Sequence, residues 1–216
     1  MNNLGKFITL EGVDGAGKTT HVEFIKKYLS DLGVNFVMTR EPGGTLLGEQ
    51  LREILLHDEM SPETETLLMF AARNEHIEKV ILPNLTEGKV VISDRFTDAT
   101  YAYQSGGKGV KEKKIDILKE WVQASLQPDL TFLFDLSVEV SIERLNKTRE
   151  LDKFEREEKS FHENIRQKYL LLAKASPERF CILNSEESIK EIQNQIKLKL
   201  DKVVGRVSIH GKRKLG

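Results

Sequence analysis

The residues Gly12-Val13-Asp14-Gly15-Ala16-Gly17-Lys18-Thr19 fit the pattern GxxxxGK[ST]. Glycines at these intervals let a backbone curl until its N–H groups converge on phosphate oxygens, with the positive end of a following helix behind them. Lys18 then reaches the β- and γ-phosphates of a nucleoside triphosphate, and the Thr19 hydroxyl, followed by Thr20, ligates magnesium. The pattern has meaning only between a strand and a helix. An apolar run from Lys6 to Leu10 precedes it and an apolar-periodic stretch from about Thr19 to Leu32 follows it, as the chemistry requires. GTPases, ATPase motors and small-molecule kinases all share this loop. A guanine reader Asn-Lys-x-Asp is missing, because the nearest string, Asn146-Lys147-Thr148-Arg149, lacks the aspartate.

Two more acids, Glu41 and Asp94, each follow an apolar run. That puts them at the carboxyl edge of a sheet, where ligands bind in open α/β folds, although either would also serve as a helix cap. Arg95 follows Asp94 directly. A guanidinium suits phosphate oxygens, since its fork offers paired donors and stays charged. Phe70 and Arg73 lie three apart on one expected helix, so both can face one site, one to stack on a base and one to hydrogen-bond it. Thr100 and Gln104 are four apart on another. His21, His57, His76, His162 and His210 form no convincing dyad. None is needed where the nucleophile is an already ionised phosphate.

Four strings in order resemble the thymidylate kinase family. They are Asp14 within the loop, Thr39-Arg40-Glu41-Pro42-Gly43-Gly44-Thr45 (similar to TREPGGT), Asp94-Arg95-Phe96 with Ala102-Tyr103-Gln104 (similar to DRY…AYQ), and Glu150-Leu151-Asp152-Lys153-Phe154-Glu155 (similar to ELDR-x-E of a lid). The resemblance implies transfer of the γ-phosphoryl group of ATP to dTMP, with magnesium, on the way to dTTP. It places Arg95 and Arg52 on the acceptor phosphate, makes Asp14 and Glu41 substrate-binding, and adds Tyr103 to the acceptor site. Arg73, Thr100 and Gln104 would read the thymine edge. By its position Asp94 would either hold a magnesium water, joining Thr19 at the metal, or orient Arg95. The resemblance also implies a homodimer, for which no apolar stripe in the sequence is proof of an interface.

The departures matter too. The family's stacking phenylalanine precedes the arginine by four, where this chain has Met69; Phe96 replaces a tyrosine and Ala99 a frequent serine. One branch of the family carries an arginine beside the loop acid, and here Gly15 stands there. The other branch supplies the cation from the lid. By that logic Arg149, with Lys153 as second choice, closes over ATP as a catalytic cation. Ten of the thirteen residues 147–159 are charged, which by itself describes a solvated helix, and Arg156 is assigned to that role. A kinase for another small acceptor and a slow nucleotide-hydrolysing regulator stay open on the residues alone.

The elements that must hold these residues alternate. Apolar runs at Val34–Met38, Val90–Asp94, Leu130–Leu136 and Phe180–Leu183 join the first. Helical patterns separate them at about Thr45–Leu56, Ser61 to near Pro83, Ile115–Leu126, Val138–Asn146, Glu157–Ala175 and Glu187–Val203. Strand-helix alternation predicts the P-loop NTPase fold: a five-stranded parallel sheet with helices on both faces and a short lid, about 144–156. The 216 residues, 39% hydrophobic and 31% charged with 33 basic against 34 acidic, describe one soluble cytoplasmic domain over 1–204. The even charge argues against nucleic acid, and no apolar run is long enough for a membrane. Cys181, in an apolar run, reads as a small buried hydrophobe. The stretch 205–216, with Arg206, Lys212, Arg213 and Lys214 and no acid, reads as a loosely ordered basic tail.

Overall fold

Strands with two buried faces need near-continuous apolar sequence, and the five runs above supply it. In the computed structural model, which describes residues 5–145, 153–155 and 157–211, with backbone alone over 206–211, they form β1 (Lys6–Gly12), β2 (Phe36–Arg40), β3 (Val90–Asp94), β4 (Leu130–Asp135) and β5 (Phe180–Asn184). All pair in parallel, in the order β2-β3-β1-β4-β5. The crossover from β1 leads to one side and that from β3 to the other, so a crevice opens at the carboxyl ends of the central strands.

Helices cover both faces. They are α1 (Lys18–Asp31), α2 (Leu46–His57), α3 (Pro62–His76), α4 (Leu82–Thr86), α5 (Thr97–Thr100), α6 (Glu112–Gln123), α7 (Val138–Leu145), α8 (Lys159–Ala175) and α9 (Ile189–Gly211). Ile8, Leu10 and Ile92 share one core with Ile25 and Leu29 of α1 and Ile196 and Leu200 of α9. Phe7 and Val91, turned the other way by the strand's two-residue period, pack with Ile77, Ile81, Leu85 and Phe96. Cys181 is buried, and burial pushes its thiol up, as an inert hydrophobe requires.

Several expected boundaries move. β1 runs two residues further, to Gly12, and β2 lies two residues later, ending on Arg40. The helix expected from Ser61 to near Pro83 begins with its Ser61 cap, whose hydroxyl accepts from the Thr64 N–H at 3.2 Å. It then leaves α geometry at His76 for a π-helical turn, Ile77–Ile81, before α4. Pro83 has no N–H to give the carbonyl four residues back, and the wider turn just upstream accommodates that gap. A second π-helical stretch, Tyr101–Gly107, follows α5. There a Cβ on Gly107 would meet the Phe161 ring at 2.4 Å, so glycine is what lets this turn and α8 approach. The last helix continues to Gly211, beyond the expected end at Val203 and into the stretch read as tail.

Candidate active site

The loop after β1 is shaped as its glycines predict. Gly17 caps α1 in the left-handed region at φ 87°, and a Cβ on Gly12 would meet the Phe134 carbonyl oxygen at 2.4 Å. Lys18 folds back over the loop, donating to the carbonyls of Gly12 and Val13 at 3.0 Å each. Burial, reinforced by the neighbouring Arg95 charge, holds its ammonium below the ordinary lysine range. One cavity opens over this loop and is lined by Asp14 through Thr20, by Asp94, and by Arg144 of α7. Gly12 and Val13, expected to bind the nucleotide, do not line this cavity, and their carbonyls accept from Lys18.

A second cavity lies between α3 and the π-helical stretch after α5, lined by Met69, Arg73, Thr100, Tyr103, Gln104 and Phe154 among others. Asp14, Glu41, Arg52 and Arg95 line both cavities. They therefore mark where the two cavities meet. Arg95 takes φ 70°, a left-handed conformation uncommon for a side-chain-bearing residue, and its N–H is tied to the Leu10 carbonyl at 2.9 Å. Its Nη2 donates to Asp14 Oδ1 at 2.7 Å and to Tyr103 Oη at 2.9 Å, and its Nη1 donates to Tyr169 Oη at 3.2 Å. The Tyr103 ring lies 4.6 Å beneath the guanidinium, and its hydroxyl donates to Asp14 Oδ2 at 2.8 Å. Burial pushes the Asp14 carboxyl up, but Arg95 and Lys18 beside it prevail and hold it well below the usual carboxylate range. Arg52 spends Nη1 on the Pro42 carbonyl at 3.0 Å, while burial and the nearby Arg40 lower its basicity.

Glu41 supports Arg73. Its Oε2 accepts from Arg73 Nε at 2.8 Å and its Oε1 pairs with His76 Nδ1 at 2.8 Å. Arg73 Nη2 donates to Thr100 Oγ1 at 3.0 Å, and Nη1 is buried without a hydrogen-bond partner. Phe70 departs from the expectation that it stacks on a base. It is 2% exposed, does not line the cavity, and packs with Tyr101, Val110 and Ile115 while the Arg73 guanidinium lies 4.7 Å over its ring. Met69 faces the cavity in its place. Thr100 and Gln104 both line the cavity as expected, although Gln104 lies in π-helical rather than α-helical backbone.

Asp94 borders the loop cavity with Oδ1 buried and unpartnered, an arrangement suited to a hydrated cation. Thr19 borders the same cavity, so one hydroxyl and one carboxylate face it together. This fits magnesium, which takes a few protein ligands alongside substrate phosphates. Arg149 and its control Arg156 lie outside the described residues. Lys153, the second choice for the lid cation, does not face the loop: its Nζ is 3.1 Å from Glu65 Oε2 and donates to the Asp58 carbonyl at 2.8 Å. Arg144 does, donating to the Gly15 carbonyl at 3.4 Å and the Ser185 carbonyl at 3.2 Å.

Sequence reasoning passed over Glu11 and Tyr169. Glu11, wholly buried on β1, accepts from the Phe96 N–H at 2.7 Å and from Tyr169 Oη at 2.8 Å. Burial, and after it the charge of Asp98, raise its carboxyl to about 8. The one signal was a carboxylate ending a run with both faces buried.

The family model for thymidylate kinase matches residues 10–196. A thymidylate kinase of Methylobacillus flagellatus is 54% identical over 192 residues, covering 89% of this chain and 95% of the relative. One from Cupriavidus necator is 52% identical over 206 residues, covering 94% and 99%. The crystal structure of thymidylate kinase from Ehrlichia chaffeensis superposes with a TM-score of 0.75 at 35% identity, covering 91% of this chain and 98% of that one. With its loop, its paired cavities and these relatives in agreement, the chain belongs to the thymidylate kinase family.

Proposed function

We propose that ATP occupies the cavity over the glycine-rich loop and dTMP the cavity beside α3, with the reacting phosphates meeting at Asp14, Glu41, Arg52 and Arg95. Membership of the family gives the reaction: the γ-phosphoryl group of ATP passes to dTMP, yielding dTDP and ADP. The observation that carries the assignment is the sharing of those four residues by both cavities. Phosphoryl transfer asks for in-line positioning and neutralisation of charge. Lys18 and the N–H groups of Gly15 to Thr20 hold the donor phosphates. Thr19 and Asp94 would hold magnesium there, and the ion would supply positive charge to offset that of the donor phosphates. Arg95 and Arg52 hold the acceptor phosphate, and Asp14 keeps the Arg95 fork in place. Arg73, Thr100 and Gln104 face the base. The acceptor phosphate is itself the nucleophile, so no general base is required.

Exposed apolar side chains support a homodimer. Leu67 on α3 is 56% exposed, and Ile117 and Trp121 on α6, one turn apart, are 59% and 81% exposed. We place the chain in the cytoplasm, where ATP and deoxynucleotides are at hand; no helix among the described residues is long and apolar enough to cross a membrane. A coupled ADP-release assay with ATP, magnesium and each deoxynucleoside monophosphate in turn tests the acceptor. ADP release fastest with dTMP is expected. Equal release without any acceptor would sink the site assignment, and sedimentation at several concentrations tests the dimer.

A further inference from the structure

We infer that Glu65 of α3 is a positioning residue for acceptor specificity: it captures the amide nitrogen of Gln104, so that only the amide's carbonyl oxygen is offered to the base. The inference rests on the assignment of the cavity beside α3 to the acceptor. Glu65 is 0% exposed. Its Oε1 accepts from Gln104 Nε2 at 3.1 Å, and its Oε2 accepts from Lys108 Nζ at 2.9 Å and lies 3.1 Å from Lys153 Nζ. A lone carboxylate buried this deeply would be costly, and the two ammonium groups offset that cost.

A glutamine amide has a donor end and an acceptor end of nearly the same shape, and left alone it can present either. An ionised carboxylate can only accept. Beside Glu65, therefore, Gln104 must turn its NH2 to Glu65 and its oxygen elsewhere. That oxygen makes no hydrogen bond to the described residues, and Gln104 lines the cavity. Arg73 completes the pattern from α3, because its Nε and Nη2 are spent on Glu41 and Thr100 while Nη1 is left buried and unpartnered. Arg73 and Gln104 thus offer the cavity one donor and one acceptor between them. A pyrimidine with a carbonyl at C4 and an N–H at N3 complements both. One with an amino group at C4 and a bare N3 sets donor against donor and acceptor against acceptor. Glu65 in this way separates thymine and uracil from cytosine, and it does nothing to separate thymine from uracil. Lys153 belongs to the segment that resembles the lid, and its neighbour Phe154 lines the same cavity, so the clamp on Glu65 is drawn in part from a segment that borders that cavity.

The test is Glu65→Gln, which keeps the shape and frees the Gln104 amide to turn. Steady-state kinetics with dTMP, dUMP and dCMP at fixed ATP and magnesium should show the dTMP:dCMP ratio of kcat/KM falling about tenfold or more. The dTMP:dUMP ratio and the KM for ATP should stay unchanged. A folded variant with an unchanged dTMP:dCMP ratio overturns the inference, as does a parallel loss of both ratios, which is the mark of a merely structural role. Should the variant not fold, the wild-type protein decides. Its Gln104 side-chain amide protons, assigned in a 15N spectrum by comparison with Gln104→Ala, should be protected from exchange before any nucleotide is added and should move little when dTMP binds. Large shifts on dTMP addition would mean that the amide donates to the base, contrary to the inference. The acceptor assignment is judged separately by whether the wild type turns over dTMP at all.

Discussion

Nη2 of Arg95 lies 2.7 Å from Oδ1 of Asp14, so the acid of the glycine-rich loop and the cation between the two cavities are fixed to each other. Tyr103 closes the triangle by bonding both. Such an arrangement aims a planar fork and cannot be reproduced by an ammonium on a flexible stem. Arg95→Lys keeps the charge but loses the fork. We expect kcat to fall by about 100-fold or more with little change in the KM for ATP, since a preorganised donor acts mainly on transition-state charge. A fall of less than a few-fold in steady-state assays would show that charge alone suffices and that the fork is incidental.

The buried Glu11 gives a pH signature. With its carboxyl raised to about 8 by burial and by Asp98, the folded protein keeps a proton that the unfolded chain gives up near the ordinary 4.5. Folding then takes up a proton between those values, so stability falls as pH rises through that window and the loss is complete above it. Each unit of such a shift corresponds to about 1.4 kcal/mol. Asp14 is depressed and acts in a lower range, losing its contribution only as pH falls below ordinary carboxylate values. In Glu11→Gln the carbonyl still accepts from the Phe96 N–H and the new NH2 donates to Tyr169. Thermal melts of wild type and variant should diverge steadily as pH rises toward 8, with the variant falling less. Parallel profiles would mean that Glu11 is ionised in the folded protein.

Legibility followed local chemistry. The strand, loop and helix around Lys18 could be read because glycine spacing, a preceding apolar run and a following period all demand one geometry. The central strands β1, β3 and β4 could be read because they are buried on both faces and mostly apolar, and the half-buried edge strands β2 and β5 because their short β-branched and aromatic runs stand between helical patterns. Strand order needed the pairing partners, which no local pattern carries. Residues 69, 70 and 73 show where helical periodicity stops: offsets of three and four share a face, so period alone cannot tell whether Met69 or Phe70 meets the ligand. The π-helical turn decided the placement of Gln104, and nothing in Tyr101–Gly107 announces it. Glu11 and Glu65 stayed hidden for a different reason: buried acids break the polar-out pattern and are explained only by partners distant in the chain, Tyr169 and Lys108.

Met69 and Phe70 should separate by experiment. Phe70 packs among Tyr101, Val110 and Ile115, so Phe70→Leu is expected to cost about 1–3 kcal/mol of stability while moving the KM for dTMP little. Met69→Ala removes cavity wall instead. It should raise the KM for dTMP several-fold, with a smaller change in Tm and none in the KM for ATP. Kinetics and melting on both variants check this, and a larger rise in the dTMP KM for Phe70→Leu than for Met69→Ala would return the stacking role to Phe70.

Arg149 is proposed as the catalytic cation over ATP from the lid string and from the glycine at position 15. If Arg149 meets charge mainly in the transition state, Arg149→Ala should lower kcat sharply while ground-state binding of ATP and dTMP hardly changes. Arg156→Ala, in the same charged run, should have a much smaller effect. Moving the cation into the loop, as in the other branch of the family, is a natural rescue, but the structure opposes it here. Gly15 takes φ 76°, and a Cβ would lie 3.0 Å from the Ser141 carbonyl and 3.3 Å from the Leu145 side chain. A left-handed side-chain-bearing residue adds about 1–2 kcal/mol before that contact is counted. Gly15→Arg in the Arg149→Ala background should therefore leave kcat low and reduce Tm. Recovery of rate would show that the loop and α7 move apart with ease. Equal and small effects of Arg149→Ala and Arg156→Ala would instead pass the role to Arg144, which already borders the donor cavity and bonds the Gly15 carbonyl, because Lys153 is committed to Glu65 on the acceptor side.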